Sequence, residues 1–157
     1  MKLSTRGRYA VMAMADLAGP GAGGPATLSV IAQRQEISLA YLEQLFGKLR
    51  RAGLVAGARG PGGGYRLAKP ANQLRIADIV LAVDEPLRAT RCHALSDKGC
   101  LGRTGRCLTH DLWDELGNQI HEYLSSVTLA DVIERRVRGR GRVAAPAHVA
   151  QFGSAAE

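Results

Sequence analysis

"ISLAYLEQLFGKLRRAGLVAGARGPGGGYRLAKP", residues 37–70, decides the fold. Ser38 stands where a helix N-cap belongs, and Leu42, Leu45, Phe46 and Leu49 follow at steps of three and four. That spacing predicts an amphipathic helix, and Gly53 supplies the glycine that closes one. The pattern then changes. "LVAGAR" (54–59) and "GYRLAKP" (64–70) are short runs on either side of "GPGGG" (60–64), which predicts a hairpin around a glycine turn. Working back from Ser38, "EIS" is a turn. Thr27 can cap a short helix, "LSVIAQRQ", whose Leu28, Ile31 and Ala32 share one face. Two helices joined by so short a turn form a helix-turn-helix. A first helix from about Thr5 to Ala18, capped by Ser4, is set off by the loop "GPGAGGPA" (19–26). Three helices and a hairpin make a winged helix.

Downstream, "IADIVLAVDE" carries Ile76, Ile79, Val80 and Val83 at helical spacing, and Pro86 stops it. A glycine-rich basic segment follows. Then come a long helix over Thr109–Val127 and a short one in "LADVIERRV". The expected fold class is mainly α: a winged helix-turn-helix DNA-binding domain (1–86), a cluster-binding loop (87–110), a dimerisation helix with a short terminal helix (109–134), and a basic, Ala-rich tail (135–157) that reads as disordered.

The formal charge of +7 is unevenly placed. Residues 1–70 hold ten Lys and Arg against three acids, while residues 71–157 hold eleven of each. The whole excess therefore belongs to the winged-helix half, where it attracts polyanions. A paired aromatic platform for stacking RNA bases is missing, which favours double-stranded DNA. "GPGGG" is not a phosphate loop, because no Gly-Lys-Ser/Thr follows it. The apolar run Tyr9–Ala15, cut by Asp16, fits an amphipathic helix better than a signal peptide. No run approaches transmembrane length, so a cytoplasmic protein without a membrane partner is expected.

A helix-turn-helix lays its second helix in the major groove with the helix N-terminus near the bases. Ser38, Ala40 and Tyr41 occupy that end, and Glu43, Gln44 and Lys48 face outward. Gln44 can pair with an adenine edge and Glu43 can accept from a cytosine amino group. Arg59 opens the wing beside Gly60 and Gly62, where the backbone can lie close to DNA and the arginine can enter a minor groove. Arg6, Arg8, Lys48, Arg50 and Arg66 are candidate phosphate contacts.

"RCHALSDKGCLGRTGRCLTH" (91–110) contains all three cysteines, Cys92, Cys100 and Cys107, and His110 three residues after the last. Arg91, Lys98, Arg103 and Arg106 favour thiolate, the form that binds metal. Three sulfurs and one imidazole suit an iron–sulfur cluster or zinc. Structural zinc sites usually contain a close cysteine pair, which is missing here, whereas a two-iron cluster accepts spread ligands. With three thiolates and a neutral histidine such a cluster carries a small negative charge that the nearby cations offset. Zinc and redox-active thiols remain the alternatives on spacing alone. Cys107 with His110 could also pair nucleophile and base, but no second catalytic constellation accompanies them, so no enzyme is expected.

"STRGRYAVMAM", "ISLAYLEQLFGKLRRAGLV", "RGPGGGYRLAKP" and "RCLTHDLW", in this order, resemble the IscR group of bacterial iron–sulfur-dependent transcription regulators. The resemblance covers Met1 to about Glu134. It implies a homodimeric winged-helix protein that binds a [2Fe–2S] cluster through Cys92, Cys100, Cys107 and His110 and regulates genes of cluster assembly. It also implies base reading by residues 39–51, with Glu43 setting specificity and Arg59 in the wing. Related regulators that sense nitric oxide or iron also use three cysteines, some with a four-iron cluster, and the nitric-oxide sensors place a carboxylate ligand near the N-terminus, where this chain has Arg8. The cysteine loop is longer here than in enterobacterial members, and Ala40 replaces a serine common there.

Leu112, Trp113, Leu116, Ile120, Tyr123, Leu124 and Val127 form an apolar stripe on the long helix. A two-fold partner helix would cover it, and a dimer would present two recognition helices to a palindromic promoter site. The cysteine loop lies in the chain between the DNA-binding half and this helix. Cluster binding is therefore expected to change how the recognition helix sits and which sites it prefers.

Overall fold

A computed structural model describes residues 5–19, 24–60, 62–84 and 107–137. Ser4, Pro86, Cys92, Cys100 and the tail from residue 138 lie outside the described residues. Six α-helices are described: α1 (Thr5–Ala18), α2 (Leu28–Gln35), α3 (Leu39–Arg51), α4 (Ile76–Ala82), α5 (His110–Ser126) and α6 (Leu129–Ile133). Two strands, β1 (Val55–Ala58) and β2 (Gly64–Leu67), pair antiparallel with Val55 opposite Leu67 and Ala58 opposite Gly64. This is the mainly helical winged-helix architecture expected from the sequence.

The local signals act as read. Thr27 Oγ1 accepts from the Val30 N–H and Ser38 Oγ from the Tyr41 N–H, each at 3.3 Å. Each cap satisfies one orphan donor of a helix N-terminus, worth about 1 kcal/mol. Glu36 ends α2 in the left-handed conformation (φ 53°), which turns the chain into α3. Ile31 from α2 and Leu42, Leu45, Phe46 and Leu49 from α3 close on Ala10, Ala13 and Met14 of α1. Ile79, Val80 and Val83 complete this core from the other side. Burying each such large aliphatic side chain contributes roughly 1.5–3 kcal/mol.

Two tertiary links were not legible in the pattern. Ahead of α2, Ala26 pairs with Tyr65, its N–H donating to the Tyr65 carbonyl at 3.0 Å and its carbonyl accepting from the Tyr65 N–H at 2.8 Å. The wing thereby gains a third edge. A side chain at Gly64 would put its Cβ 2.3 Å from the Ala26 carbonyl oxygen, so this close approach requires glycine. The Phe46 and Tyr65 rings, 5.0 Å apart and edge-on, fasten α3 to the same strand. The second link is a bridge between Arg75 and Thr128. The Ile76 N–H donates to Val127 O at 3.0 Å and the Leu129 N–H to Leu74 O at 2.8 Å. It brings α6 back onto the N-terminal core, where Leu129 is fully buried. A 3-10 turn at Ala71–Gln73, also unforeseen, packs against α6.

α5 divides its apolar residues between two sides. Ile120, Leu124 and Val127 rest against the core. Leu112 (62 % exposed), Leu116 (37 %) and Tyr123 (44 %) face away. Among the described residues the stripe read from the sequence is thus covered along one edge and open along the other.

Candidate nucleic-acid interface and metal centre

On α3, Ala40, Glu43, Gln44 and Arg50 are exposed on the side turned away from the core. Ser38 is exposed but its hydroxyl is engaged in capping. Tyr41 is only half-exposed, because its ring meets Tyr9 of α1 edge-on at 6.1 Å. The Arg8 guanidinium lies over the other partner of that pair, 5.2 Å from the centre of the Tyr9 ring. Arg8 and Tyr41 therefore both meet the Tyr9 ring, one over its face and one edge-on, which links the N-terminal end of α3 to α1. Leu39, at the same end, is 40 % exposed.

Arg59, Gly60, Gly62 and Arg66 of the wing are all exposed. The Gly63 N–H donates to the Gly60 carbonyl at 2.8 Å, closing the tip of the hairpin.

Lys48 differs from the other expected phosphate contacts. Its Nζ lies 2.6 Å from Oδ2 of Asp84, two residues beyond α4. Arg6 donates from Nη1 to the carbonyl oxygen of that aspartate at 3.3 Å. The hydrogen bond and charge of Lys48 hold the Asp84 carboxyl below its usual range, with Arg6 and Arg51 adding to the effect. Sequence reasoning passed over Asp84. The available signal was an aspartate, where glycine is usual, just past a helix end. Its backbone is left-handed (φ 57°), a conformation aspartate tolerates better than most residues.

Of the four expected metal ligands, Cys107 and His110 fall within the described residues. Cys107 precedes α5 and His110 is its first residue. The His110 N–H donates to the Cys107 carbonyl at 3.0 Å, and Cys107 Sγ lies 3.6 Å from Thr109 Oγ1. His110 is 3 % exposed and is the sole fully buried residue of α5, while Cys107 is half-buried. A thiol just ahead of a helix and an imidazole on its first residue are donor types suited to iron or zinc. No group of three or more metal-binding side chains is assembled among the described residues. His121 is exposed on α5, eleven residues beyond His110.

A helix-turn-helix, a hairpin wing and a basic face on one core define a winged-helix DNA-binding protein. Residues 3–135 match the Rrf2 family of iron-dependent transcriptional regulators, and the chain belongs to that family. It is 53 % identical over 141 residues to an HTH-type transcriptional regulator of Neisseria meningitidis, covering 90 % of this chain and 93 % of the relative. It is 50 % identical over 133 residues to IscR of Photobacterium profundum, with 85 % and 76 % covered. Among solved structures, IscR of T. potens superposes with a TM-score of 0.70 at 35 % identity, covering 90 % of this chain and 94 % of that one. CymR, the global cysteine regulator of B. subtilis, follows at 0.68 and 32 %, with 86 % and 98 % covered. The chain is a DNA-binding transcription regulator and not an enzyme. None of the described helices is long and apolar enough to cross a membrane.

Proposed function

We propose that this protein is a cytoplasmic, homodimeric regulator, mainly a repressor, of genes for iron–sulfur cluster assembly. Its choice of DNA sites follows a [2Fe–2S] cluster held by Cys92, Cys100, Cys107 and His110. The observation that carries this reading is the placement of Cys107 beside a deeply buried His110 at the head of α5, in a chain of an iron-dependent family. When bound, the cluster supplies bonds between the cysteine segment and the first turn of α5.

The remaining work falls to the chain's own residues. Gln44 and Glu43 offer an amide and a carboxylate to base edges in the major groove, beside the small Ala40. Glu43 also repels phosphate, which penalises sites where it finds no donor. Tyr41, through its edge-on contact with Tyr9, holds the reading end of α3 in place. Arg59, with Gly60 and Gly62, approaches the minor groove. Arg6, Arg8, Lys48, Arg50 and Arg66 bind phosphates, as Ser38 can once its capping bond is shared. The open stripe Leu112, Leu116 and Tyr123 of α5 meets its copy across a two-fold axis, which sets two α3 helices on a palindromic duplex.

The test is absorption and Mössbauer spectroscopy on protein purified without oxygen, followed by gel shifts on the promoter of its own gene. A two-iron signature is expected, lost in Cys92→Ala together with the site preference of the intact protein. Zinc in place of iron, or a Cys92→Ala variant that binds every promoter as the wild type does, overturns the cluster reading and leaves the DNA-binding regulator.

A further inference from the structure

We propose that Asp84 is an internal surrogate for a DNA phosphate, an anion whose carboxylate occupies Lys48 in the free protein and must be displaced before Lys48 binds the duplex. The inference rests on the reading of Lys48 as a phosphate contact.

Geometry carries it. Lys48 belongs to α3 and Arg6 to α1, and both meet the single residue Asp84, which comes eight residues before Cys92 in the chain. Lys48 Nζ lies 2.6 Å from the carboxylate, and its side chain is only 28 % exposed. Asp84 is 72 % exposed, so the anion approaches Lys48 from the solvent side, as a phosphate oxygen would. The backbone at Asp84 (φ 57°) is one that glycine adopts with less strain. What aspartate has and glycine lacks is the carboxylate. That carboxylate stays ionised in neutral solution, since Lys48 holds its proton affinity down.

Magnitudes separate the alternatives. An exposed ion pair adds little to folding stability. A cation on the DNA-facing side, by contrast, contributes directly to the electrostatic part of nucleic-acid binding. Asp84 therefore matters more to DNA affinity than to the fold. Lys48 is the cation affected most, because Arg6 meets the main-chain carbonyl, which substitution leaves in place.

The experiment measures fluorescence anisotropy of the full-length protein on two labelled duplexes across a potassium chloride series. One duplex comes from the promoter of its own gene and the other is a scrambled sequence of equal composition. The proteins are wild type, Asp84→Asn, Asp84→Gly, Lys48→Gln and the Asp84→Asn/Lys48→Gln double variant. Both Asp84 variants accommodate a left-handed backbone, so the fold is kept. Both are expected to bind both duplexes about twofold to fivefold more tightly per protomer. Their log–log salt slope is expected to be steeper by about one for each protomer. Lys48→Gln is expected to weaken binding more in the Asp84→Asn background than in the wild type.

Unchanged or weaker binding by Asp84→Asn overturns the proposal, as does tightening by Asp84→Gly alone. The double variant tells apart the two ways of failing. Equal losses from Lys48→Gln in both backgrounds keep Lys48 as a phosphate contact and remove the competition. No loss in either background removes the phosphate contact itself, and the competition with it.

Discussion

The winged-helix half and α5 are built from similar apolar periodicity and end in opposite states. In α3 the stripe Leu42, Leu45, Phe46 and Leu49 is fully closed by α1, α2 and α4. In α5 one side, through Ile120, Leu124 and Val127, is covered by the same chain. The other, through Leu112, Leu116 and Tyr123, is only partly covered among the described residues. The first helix belongs to a core that the described residues complete, while the second carries more apolar surface than the described residues close. Periodicity reports that a helix has an apolar face. It does not report which body lies against that face, since packing within a chain and packing between chains follow the same rule.

That contrast can be broken most forcefully at Phe46. Truncating this fully buried ring to alanine is expected to cost about 3–5 kcal/mol in chemical denaturation. A loss under about 1 kcal/mol would mean the N-terminal core is not the self-sufficient body described. On the open side, the pair Leu112→Glu and Leu116→Glu is expected to keep helicity while moving sedimentation to the monomer. Loss of half-site cooperativity on a palindromic duplex should accompany it. A variant that still sediments as a dimer would place the two-fold contact elsewhere on the surface.

The smallest effect sharpens the anchoring of α6. Thr128 and Asp131 form a reciprocal cap: the Thr128 hydroxyl and N–H both donate to the Asp131 carboxylate, and the Asp131 N–H donates back to Thr128. The two Thr128 bonds hold the Asp131 carboxyl below its usual value of 3.8. With the folded-state value depressed, the stabilisation is complete above pH 3.8 and drains away as pH falls through the lower value. Thermal melts at decreasing pH should lose this contribution in the wild type and not in Asp131→Asn. Parallel curves for the two proteins would show that the cap does not steady the return of α6 to the core.

Local signals explain why the helices could be placed closely from the sequence. Thr27 and Ser38 cap as residues of their type do, and α1, α2 and α3 occupy the expected stretches. What escaped notice was pairing between segments far apart in the chain. Neither Ala26 nor Leu74 carries a mark that it will bond to Tyr65 or Leu129, because the bonds are made by main-chain groups that every residue has. The cations proposed to meet DNA could be listed from the sequence, since charge is written in the residue type. That Lys48 would be held by Asp84 was not, because an ion pair depends on where two helices end relative to each other. The sulfur and imidazole donors could be named for the same reason as the cations. Their composition states their chemistry, while their assembly depends on the fold.

The main-chain pairing of Ala26 with Tyr65 makes the wing and the helix-turn-helix a gauge with fixed jaws. Tyr65 is tied ahead of α2 by two hydrogen bonds and against α3 by the Phe46 ring, so the hairpin cannot swing without dragging the helices with it. The span from the α3 face to Arg59 is then a property of the protein alone. On the proposed reading of the α3 face and Arg59 as DNA contacts, a duplex whose groove width or helical phase does not match that span has to bend or twist to meet the gauge. The energetic cost of that deformation ranks sites by their stiffness at base pairs that no side chain touches.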